Sequence, residues 1–175
     1  MRIIAGRWKG QRLKSPRGQD VRPTSDKVKE AWMSSLGMDV LGARVLDLFA
    51  GSGSLGLEAL SRGAESVVFV EVSSVSLRTL KENIQLIKAD SEITVVKRDA
   101  MKYIKRLGRE EFDIALADPP YYSGYAAEVI KLFRDHPFAS KLWIEHGKGD
   151  VDESPIEYDQ RQYGKTTISI LEAKR

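Results

Sequence analysis

The sequence lacks cysteine altogether and has only two histidines, His136 and His146, among its 175 residues. Without cysteine there are no disulfides, no thiolate zinc sites and no iron–sulfur clusters. The cysteine nucleophile that some covalent mechanisms require is also missing. Two histidines are too few for a histidine-rich centre, so we expect no bound metal. Chemistry must therefore come from carboxylates, hydroxyls, backbone groups or a bound cofactor.

Long hydrophobic runs are also absent. No apolar run exceeds four residues, so the sequence predicts no membrane-spanning helix and no membrane partner. Arg7 and Lys9 precede any hydrophobic stretch, which argues against a secretory signal, and we expect a cytoplasmic protein. With 42% hydrophobic and 30% charged residues, the composition is typical of a folded globular domain with a sizeable core.

Acidic residues are missing from the first 19 positions, which carry six basic side chains. The net charge of the whole chain is +3, so the remainder carries −3. A basic segment beside a mildly acidic body is typical of nucleic-acid binding, although a solvated terminus without a partner gives the same pattern.

Short apolar segments alternate with amphipathic helical patterns along the chain. We predict strands at 44–49, 67–71, 93–97, 112–117 and 141–146, and helices at 26–36, 54–62, 75–88, 100–107 and 125–135. A final hairpin, 156–162 and 165–171, adds one antiparallel strand. This alternation predicts an α/β fold with a doubly wound, mostly parallel sheet. The ligand site of such a fold lies at the carboxyl ends of its strands.

A glycine-rich loop follows the first predicted strand. Gly51, Gly53 and Gly56 match G-x-G-x-x-G between a strand and a helix, where the backbone can approach a ligand closely. Glu71 ends the second strand 20 positions after Gly51, the spacing of an acid that binds ribose hydroxyls. Together these features predict an adenosine-containing ligand; a tight turn and a surface glutamate are the alternative.

Two acids bear on the identity of that ligand. Asp47, just before the glycine loop, would repel the pyrophosphate of NAD and suits the cationic ammonium and sulfonium of S-adenosylmethionine. Asp99 follows the third strand, where it can accept from an adenine amine, cap the next helix, or do both.

Asp118, Pro119, Pro120 and Tyr121 follow the fourth predicted strand. The prolines fix the backbone and remove two N–H donors, leaving carbonyls that only accept. A carboxylate beside such a carbonyl can hold both hydrogens of an aromatic amine and direct the nitrogen lone pair at a methyl donor. Tyr121 offers a ring on which a base can stack. A proline-rich strand exit without chemistry is the alternative.

The whole chain resembles the RsmD-like family of class I S-adenosylmethionine-dependent methyltransferases, which methylate a guanine N2 amine in 16S rRNA. The resemblance lies in residues 2–10 (RIIAGRWKG), 22–27 (RPTSDK), 47–60 and 118–121 (DPPY). It implies a seven-stranded Rossmann-like methyltransferase sheet over residues 21–175, preceded by a small basic β-hairpin at 1–20. The DPPY signature is shared with adenine-N6 enzymes and does not identify the base.

The resemblance also implies roles for individual residues. Amine orientation falls to Asp118, Pro119, Pro120 and Tyr121. Cofactor binding falls to Arg22, Thr24, Asp47, Phe49, Gly51, Ser52, Gly53, Glu71, Asp99, Ala100 and Asp118. Contacts to 16S rRNA, within a 30S subunit or an assembly intermediate, fall to Arg7, Trp8, Lys9, Arg12 and Lys14.

Three alternatives stay open. An adenine-N6 methyltransferase acting on DNA or RNA shares DPPY, although 175 residues leave little room for a target-recognition domain. A non-catalytic rRNA-binding assembly factor could keep the same fold, but the intact glycine loop argues against lost turnover. An NAD-dependent oxidoreductase is disfavoured by Asp47.

Overall fold

The computed structural model describes residues 1–16, 26–151 and 158–174. The helices in these ranges are α1 (Asp26–Leu36), α2 (Ser54–Ser61), α3 (Ser74–Ile87), α4 (Ala100–Ile104) and α5 (Tyr125–Asp135). Short 3-10 helices cover Gly37–Val40 and Asp90–Glu92. The strands are β1 (Arg44–Leu48), β2 (Ser66–Glu71), β3 (Ile93–Lys97), β4 (Phe112–Ala117), β5 (Ala139–Gly147), β6 (Asp159–Tyr163) and β7 (Thr166–Glu172).

These strands form one sheet in the order β3-β2-β1-β4-β5-β7-β6. The pairs from β3 through β5 are parallel, and β7 runs antiparallel to both β5 and β6. Because β1 pairs with β2 on one side and β4 on the other, the chain reverses its winding direction at β1. The doubly wound, mostly parallel sheet is thus confirmed, and its switch point lies at the carboxyl ends of β1 and β4.

Helices cover both faces of the sheet. One buried cluster packs α1, α2 and α3 against residues such as Val45 and Phe69, and the other packs α4 and α5 against residues such as Leu46 and Ile144. Successive strand residues point to opposite faces. The central strands are therefore apolar on both sides, as the continuous apolar segments predict.

The predicted boundaries within the described residues agree with the structure to within a few residues, except for α4, and the predicted start of the final hairpin at 156 lies outside those residues. Our prediction of 100–107 is too long, because the α-helix ends at Ile104. The Lys105 amide still bonds four residues back, to Met101, but the Arg106 and Leu107 amides bond to carbonyls three residues back, those of Tyr103 and Ile104. This tighter turn places Leu107 in the core, and Gly108 follows it.

The N-terminal segment doubles back into a hairpin packed on the body. Arg2 bridges Arg12 in antiparallel fashion, and the Ile3 amide donates to the Gln11 carbonyl at 2.9 Å. Ile3 and Leu13 are buried in the cluster that contains α1 to α3. The predicted boundary between a hairpin unit and the main domain, at residues 20 and 21, lies outside the described residues.

Of the helices in the described part of the chain, none combines the length and the apolar character needed to cross a bilayer.

Candidate active site

A cavity of about 1000 Å³ lies along the carboxyl edge of the sheet. This is the upper end of the range for a single drug-sized ligand, which leaves room for a second planar group. Its β1–β3 half is lined by six predicted residues, Phe49, Gly51, Ser52, Glu71, Asp99 and Ala100. Its β4–β7 half is lined by the four predicted residues Asp118, Pro119, Pro120 and Tyr121. Sequence motifs from separate strands thus meet in one cavity.

Glu71 organises the glycine loop. Its carboxylate accepts the Gly51 amide at 2.7 Å and the Ser73 amide at 2.7 Å, and the side chain is 9% exposed. A carboxylate has about four acceptor positions, so two remain for the hydroxyls of a ligand. The acid that the spacing predicts for ribose therefore lines the cavity already aligned by two backbone bonds.

Gly53 and Gly56 lie where the packing leaves no room for a side chain. Gly53 precedes α2 with φ +83°, and a Cβ there would lie 2.4 Å from Leu80 Cδ1. A Cβ on Gly56 would lie 2.4 Å from the Phe69 ring. Neither glycine is among the residues that line the cavity, and a contact between Gly53 and the cofactor stays a prediction. Both are required because α2 and α3 pack closely against the loop and the sheet.

Asp47, which we expected to hold the cofactor, lies buried outside the cavity lining. Its side chain is 2% exposed, lies outside the cavity lining and accepts the Gly56 amide at 2.8 Å. Burial raises the pKa of Asp47 to about 7, the nearby charge of Glu71 adds to the increase, and the Gly56 bond opposes it. Asp47 therefore holds the start of α2 from beneath the loop. The charge argument that used it against NAD loses its geometric basis.

Asp99 has both of the placements predicted for it. Its Oδ1 accepts the Lys102 amide at 2.9 Å, which confirms the cap of α4, and the residue lines the cavity. A contact between Asp99 and an adenine amine stays a prediction. Arg22 and Thr24, predicted at the methionine end of a cofactor, lie outside the described residues.

Hydrogen bonds hold the DPPY segment, which follows the end of β4. Pro119 is buried and Pro120 exposed, and the Pro120 carbonyl accepts the Ser123 hydroxyl at 2.5 Å. The Tyr121 hydroxyl lies 2.5 Å from Glu145 Oε1 and 2.9 Å from Thr166 Oγ1. Burial raises the pKa of Tyr121 above its usual value, and the bond to Glu145 raises it further, so the phenol stays protonated.

Glu145 is the main cavity residue that our sequence reasoning missed. It lies near the end of β5, is 5% exposed, and accepts the Trp32 indole N–H at 2.8 Å besides the Tyr121 hydroxyl. A signal was available, since Glu71 and Asp118 are also acids at the ends of parallel strands. Glu145 extends this series to the next strand of the sheet.

Asn83 was missed as well. Its side chain is fully buried, exchanges two hydrogen bonds with the Lys14 backbone, and donates to the Ser52 carbonyl at 2.9 Å. It therefore joins the end of the hairpin to the glycine loop. Nothing in the sequence pattern distinguishes Asn83 from an ordinary polar position on α3.

The predicted RNA-contacting residues occupy different environments. Arg7 pairs with Glu92 and Lys14 with Glu82, each at 2.8 Å, while Lys9 and Arg12 are exposed. Trp8 packs partly buried against the core, and the Arg7 guanidinium lies 3.9 Å from its ring centre. A base could stack on that ring face only by displacing Arg7.

The hairpin is seated on a buried acid. Glu58 is fully buried and accepts the Ile4 amide at 2.7 Å and the Ala5 amide at 3.0 Å. Lys29, 1% exposed, lies 3.3 Å from the same carboxylate, and Arg62 donates to it at 2.9 Å. The Lys29 ammonium also donates to the Arg2 carbonyl. We call these contacts the Glu58 seat.

Among residues 1–16, 26–151 and 158–174, no cluster of three or more histidine, cysteine or carboxylate side chains could hold a metal ion.

A parallel sheet in this order, closed by one antiparallel strand and carrying an acid-lined cavity at its carboxyl edge, defines the Rossmann-like methyltransferase fold. Within that class, residues 1–172 match the family model described as Conserved hypothetical protein 95. The chain belongs to this family, the RsmD-like methyltransferases.

Named relatives agree with this assignment. The chain is 42% identical to the putative rRNA methyltransferase YlbH of Bacillus subtilis over 187 residues, covering 99% of this chain and 100% of the relative. It is 38% identical to ribosomal RNA small subunit methyltransferase D of Escherichia coli K12 over 152 residues, covering 87% and 76%. The solved putative methyltransferase yhhF of Escherichia coli superposes with a TM-score of 0.84 at 32% identity, covering 99% of each chain.

Proposed function

We propose that this protein, an rRNA methyltransferase that uses S-adenosylmethionine, transfers a methyl group to the exocyclic N2 amine of a guanine in 16S rRNA. One observation carries the proposal: the Asp118–Tyr121 segment shares a single cavity with Glu71 and the glycine loop. The names of both sequence relatives support an rRNA substrate, and that of the Escherichia coli relative supports the small subunit. Such a substrate places the enzyme in the cytoplasm, acting on a 30S subunit or an assembly intermediate.

The β1–β3 half fits the nucleoside of the cofactor. Glu71 would hold the ribose hydroxyls, Asp99 would accept from the adenine amine, and Val70, Val72 and Ala100 supply apolar walls. Phe49 closes this half, its ring 5.5 Å from that of Tyr125. When bound, S-adenosylmethionine supplies a methyl group on a positively charged sulfonium.

The β4–β7 half fits the acceptor amine. An aromatic amine is a poor nucleophile because its lone pair is delocalised into the ring. Asp118 and the Pro119 carbonyl would each accept one N–H, favouring a pyramidal nitrogen whose lone pair points at the methyl carbon. The N–C bond forms as the S–C bond breaks, and the nitrogen loses one proton to Asp118 or water. Most of the acceleration then comes from positioning.

The base must leave its stack to reach this cavity. Tyr121 would stack on the extruded guanine, its ring held by the hydroxyl contacts to Glu145 and Thr166. The exposed Lys9 and Arg12 of the hairpin would contact RNA phosphates, with Arg7 and Lys14 joining if they exchange their glutamate partners for phosphate. Phosphate contacts position the protein without reading sequence.

The test is incubation with labelled S-adenosylmethionine and two substrates from a strain lacking the gene, 30S subunits and protein-free rRNA. Nucleoside analysis of the product should find N2-methylguanosine. N6-methyladenosine as the sole product would overturn the guanine assignment. Bound rRNA with no methylated nucleoside would instead favour the assembly factor.

A further inference from the structure

Strand order divides the cavity between two ligands. Glu71 ends β2, Asp118 follows β4, Glu145 lies near the end of β5, and Thr166 begins the antiparallel β7. In the sheet order β2-β1-β4-β5-β7, Asp118 stands between the other two acids. A cofactor held by Glu71 with its methyl group at Asp118 would fill one side. The acceptor base would then lie toward β5 and β7, beside Glu145.

Glu145 is an unusual residue to bury. It is 5% exposed, and its hydrogen bonds within the described ranges come from two neutral donors, the Trp32 indole and the Tyr121 hydroxyl. Burying a carboxylate is costly unless its acceptor positions are filled. Each oxygen here accepts one bond and has a second acceptor position. The side chain lines the cavity, so a ligand donor can occupy one of those positions.

Tyr121 places this acid beside the reacting amine. Its hydroxyl lies 2.5 Å from Glu145, and the charges of both Glu145 and Asp118 raise the pKa of Tyr121. Two carboxylates therefore flank the ring on which the base would stack. The planar edge of a base stacked there would face both acceptors.

Resting on the function proposed above, we propose that Glu145 selects guanine over adenine by accepting guanine N1–H while Asp118 holds the N2 amine. Guanine presents these two donors side by side. Adenine presents an amine beside N1, which is itself an acceptor, so Glu145 would face a lone pair and stay unpaired. A buried polar group left unpaired strongly disfavours the wrong ligand.

The decisive probe is 2-aminopurine at the methylated position of a 16S rRNA fragment or a reconstituted 30S subunit. This base keeps the 2-amine but has a bare acceptor at N1. Wild-type enzyme should prefer guanine by on the order of 10⁴-fold in kcat/KM. Glu145→Gln should reduce that preference below about 10-fold, because its carboxamide N–H₂ can donate to N1. The missing O6 affects both proteins alike, so the change in preference isolates Glu145.

Two further variants separate selection from structural support. Tyr121→Phe removes a partner of Glu145 but leaves its carboxylate, so the guanine preference should persist although the rate falls. Glu145→Asp keeps the charge on a shorter side chain, so guanine should remain preferred at a lower rate. Thermal melting and calorimetric titration with S-adenosylhomocysteine should show each variant folded, with cofactor affinity within about 2-fold of wild type.

Three results bear on the proposal. If Glu145→Gln slows both substrates equally and the preference is unchanged, Glu145 only supports Tyr121 and Trp32, and the proposal is overturned. It is also overturned, without any variant, if wild-type enzyme methylates 2-aminopurine as readily as guanine. In both of these cases, methylation of guanine by the wild-type enzyme would still support the proposed function. If the wild-type enzyme does not methylate guanine, the proposed function and the role of Glu145 are both overturned.

Discussion

Two buried glutamates show how the same side chain serves different ends in this protein. Glu58, fully buried, accepts from two hairpin amides and pairs with Lys29 and Arg62. Glu145, 5% exposed, accepts from two neutral donors in the described part of the chain and lines the cavity. The first carboxylate has its acceptor positions filled by the protein, and the second keeps positions facing a ligand.

The difference between Glu58 and Glu145 indicates how a structural buried acid can be distinguished from a ligand-binding one. A buried charge whose partners are all internal contributes to the fold, and removing it leaves other groups unpaired. A carboxylate buried at a cavity wall, with acceptor positions left open, adds little to stability, because its desolvation is not offset by internal partners. We therefore expect the Glu58 seat to stabilise the fold and the acids at the strand ends to bind ligands. Five predictions test this division, beginning with the largest effect.

Glu58→Ala should lower the free energy of unfolding by about 3–5 kcal/mol, because it leaves Lys29 buried without its carboxylate and two hairpin amides unsatisfied. Urea unfolding followed by circular dichroism measures this. Glu30→Ala, an exposed acid on α1, is the control and should change stability by less than about 0.5 kcal/mol. A loss below about 1 kcal/mol for Glu58→Ala would show that the seat is not structural.

Asp118→Ala should slow methyl transfer strongly and leave the fold intact. Losing an acceptor that acts mainly in the transition state costs about 3 kcal/mol, on the order of 100-fold in rate. The measurement is single-turnover methylation at saturating cofactor, with affinity for S-adenosylhomocysteine as the control. Retained turnover would remove Asp118 from its catalytic role.

Glu71→Ala should weaken cofactor binding. A hydroxyl bonded to a carboxylate contributes roughly 1.5–3 kcal/mol, so the Kd for S-adenosylhomocysteine should rise about 10- to 100-fold. Calorimetric titration measures it. Glu71→Gln, which keeps one oxygen acceptor, should fall between wild type and alanine. If Glu71→Ala binds normally, the residue only arranges the Gly51 and Ser73 amides.

The buried Asp47, which lies away from the cavity, should make the free energy of unfolding depend on pH. Its pKa is raised to about 7 in the folded protein, against roughly 3.9 unfolded. The folded state therefore binds more protons between these values, and stability falls as pH rises through that window. From pH 5 to pH 7 the loss of stability from this group should be about 2 kcal/mol.

Asp47→Asn should remove that dependence, since its amide oxygen still accepts the Gly56 amide and no longer titrates. Urea unfolding at pH 5, 6 and 7 compares the two proteins. The variant should gain stability relative to wild type as pH rises. Parallel curves for the two proteins would show that the Asp47 pKa is ordinary.

The smallest effect concerns the exposed charges of the hairpin. Deleting the hairpin is a poor test, because it removes Ile3 and Leu13 from the core. Neutralising Lys9 and Arg12 to glutamine leaves the Glu58 seat intact. If both contact phosphates, the slope of log K for RNA against log salt should flatten by about 1.5. Lys131→Gln, on α5 at the other face of the sheet, is the control, and an unchanged slope in the double variant would remove the hairpin from RNA binding.

The sequence by itself determined the order of strands and helices, the glycine loop, Glu71 and the DPPY segment. These depend on local rules: apolar periodicity sets strands and helices, and a motif at a strand end keeps its place because strand and turn are continuous in the chain. The carboxyl ends of parallel strands share one edge. The meeting of Gly51, Glu71 and Asp118 in one cavity was therefore predictable.

Only the tertiary structure decided where the other acids point. Asp47 belongs to β1, and its alternation with Leu46 and Leu48 turns it under α2 and away from the cavity. Glu58 accepts from the hairpin amides, Asn83 from Lys14, and Glu145 from Trp32. These partners lie 53 to 113 positions away in the sequence. Which groups fill an acceptor depends on packing between distant elements. Periodicity along the chain does not encode that packing.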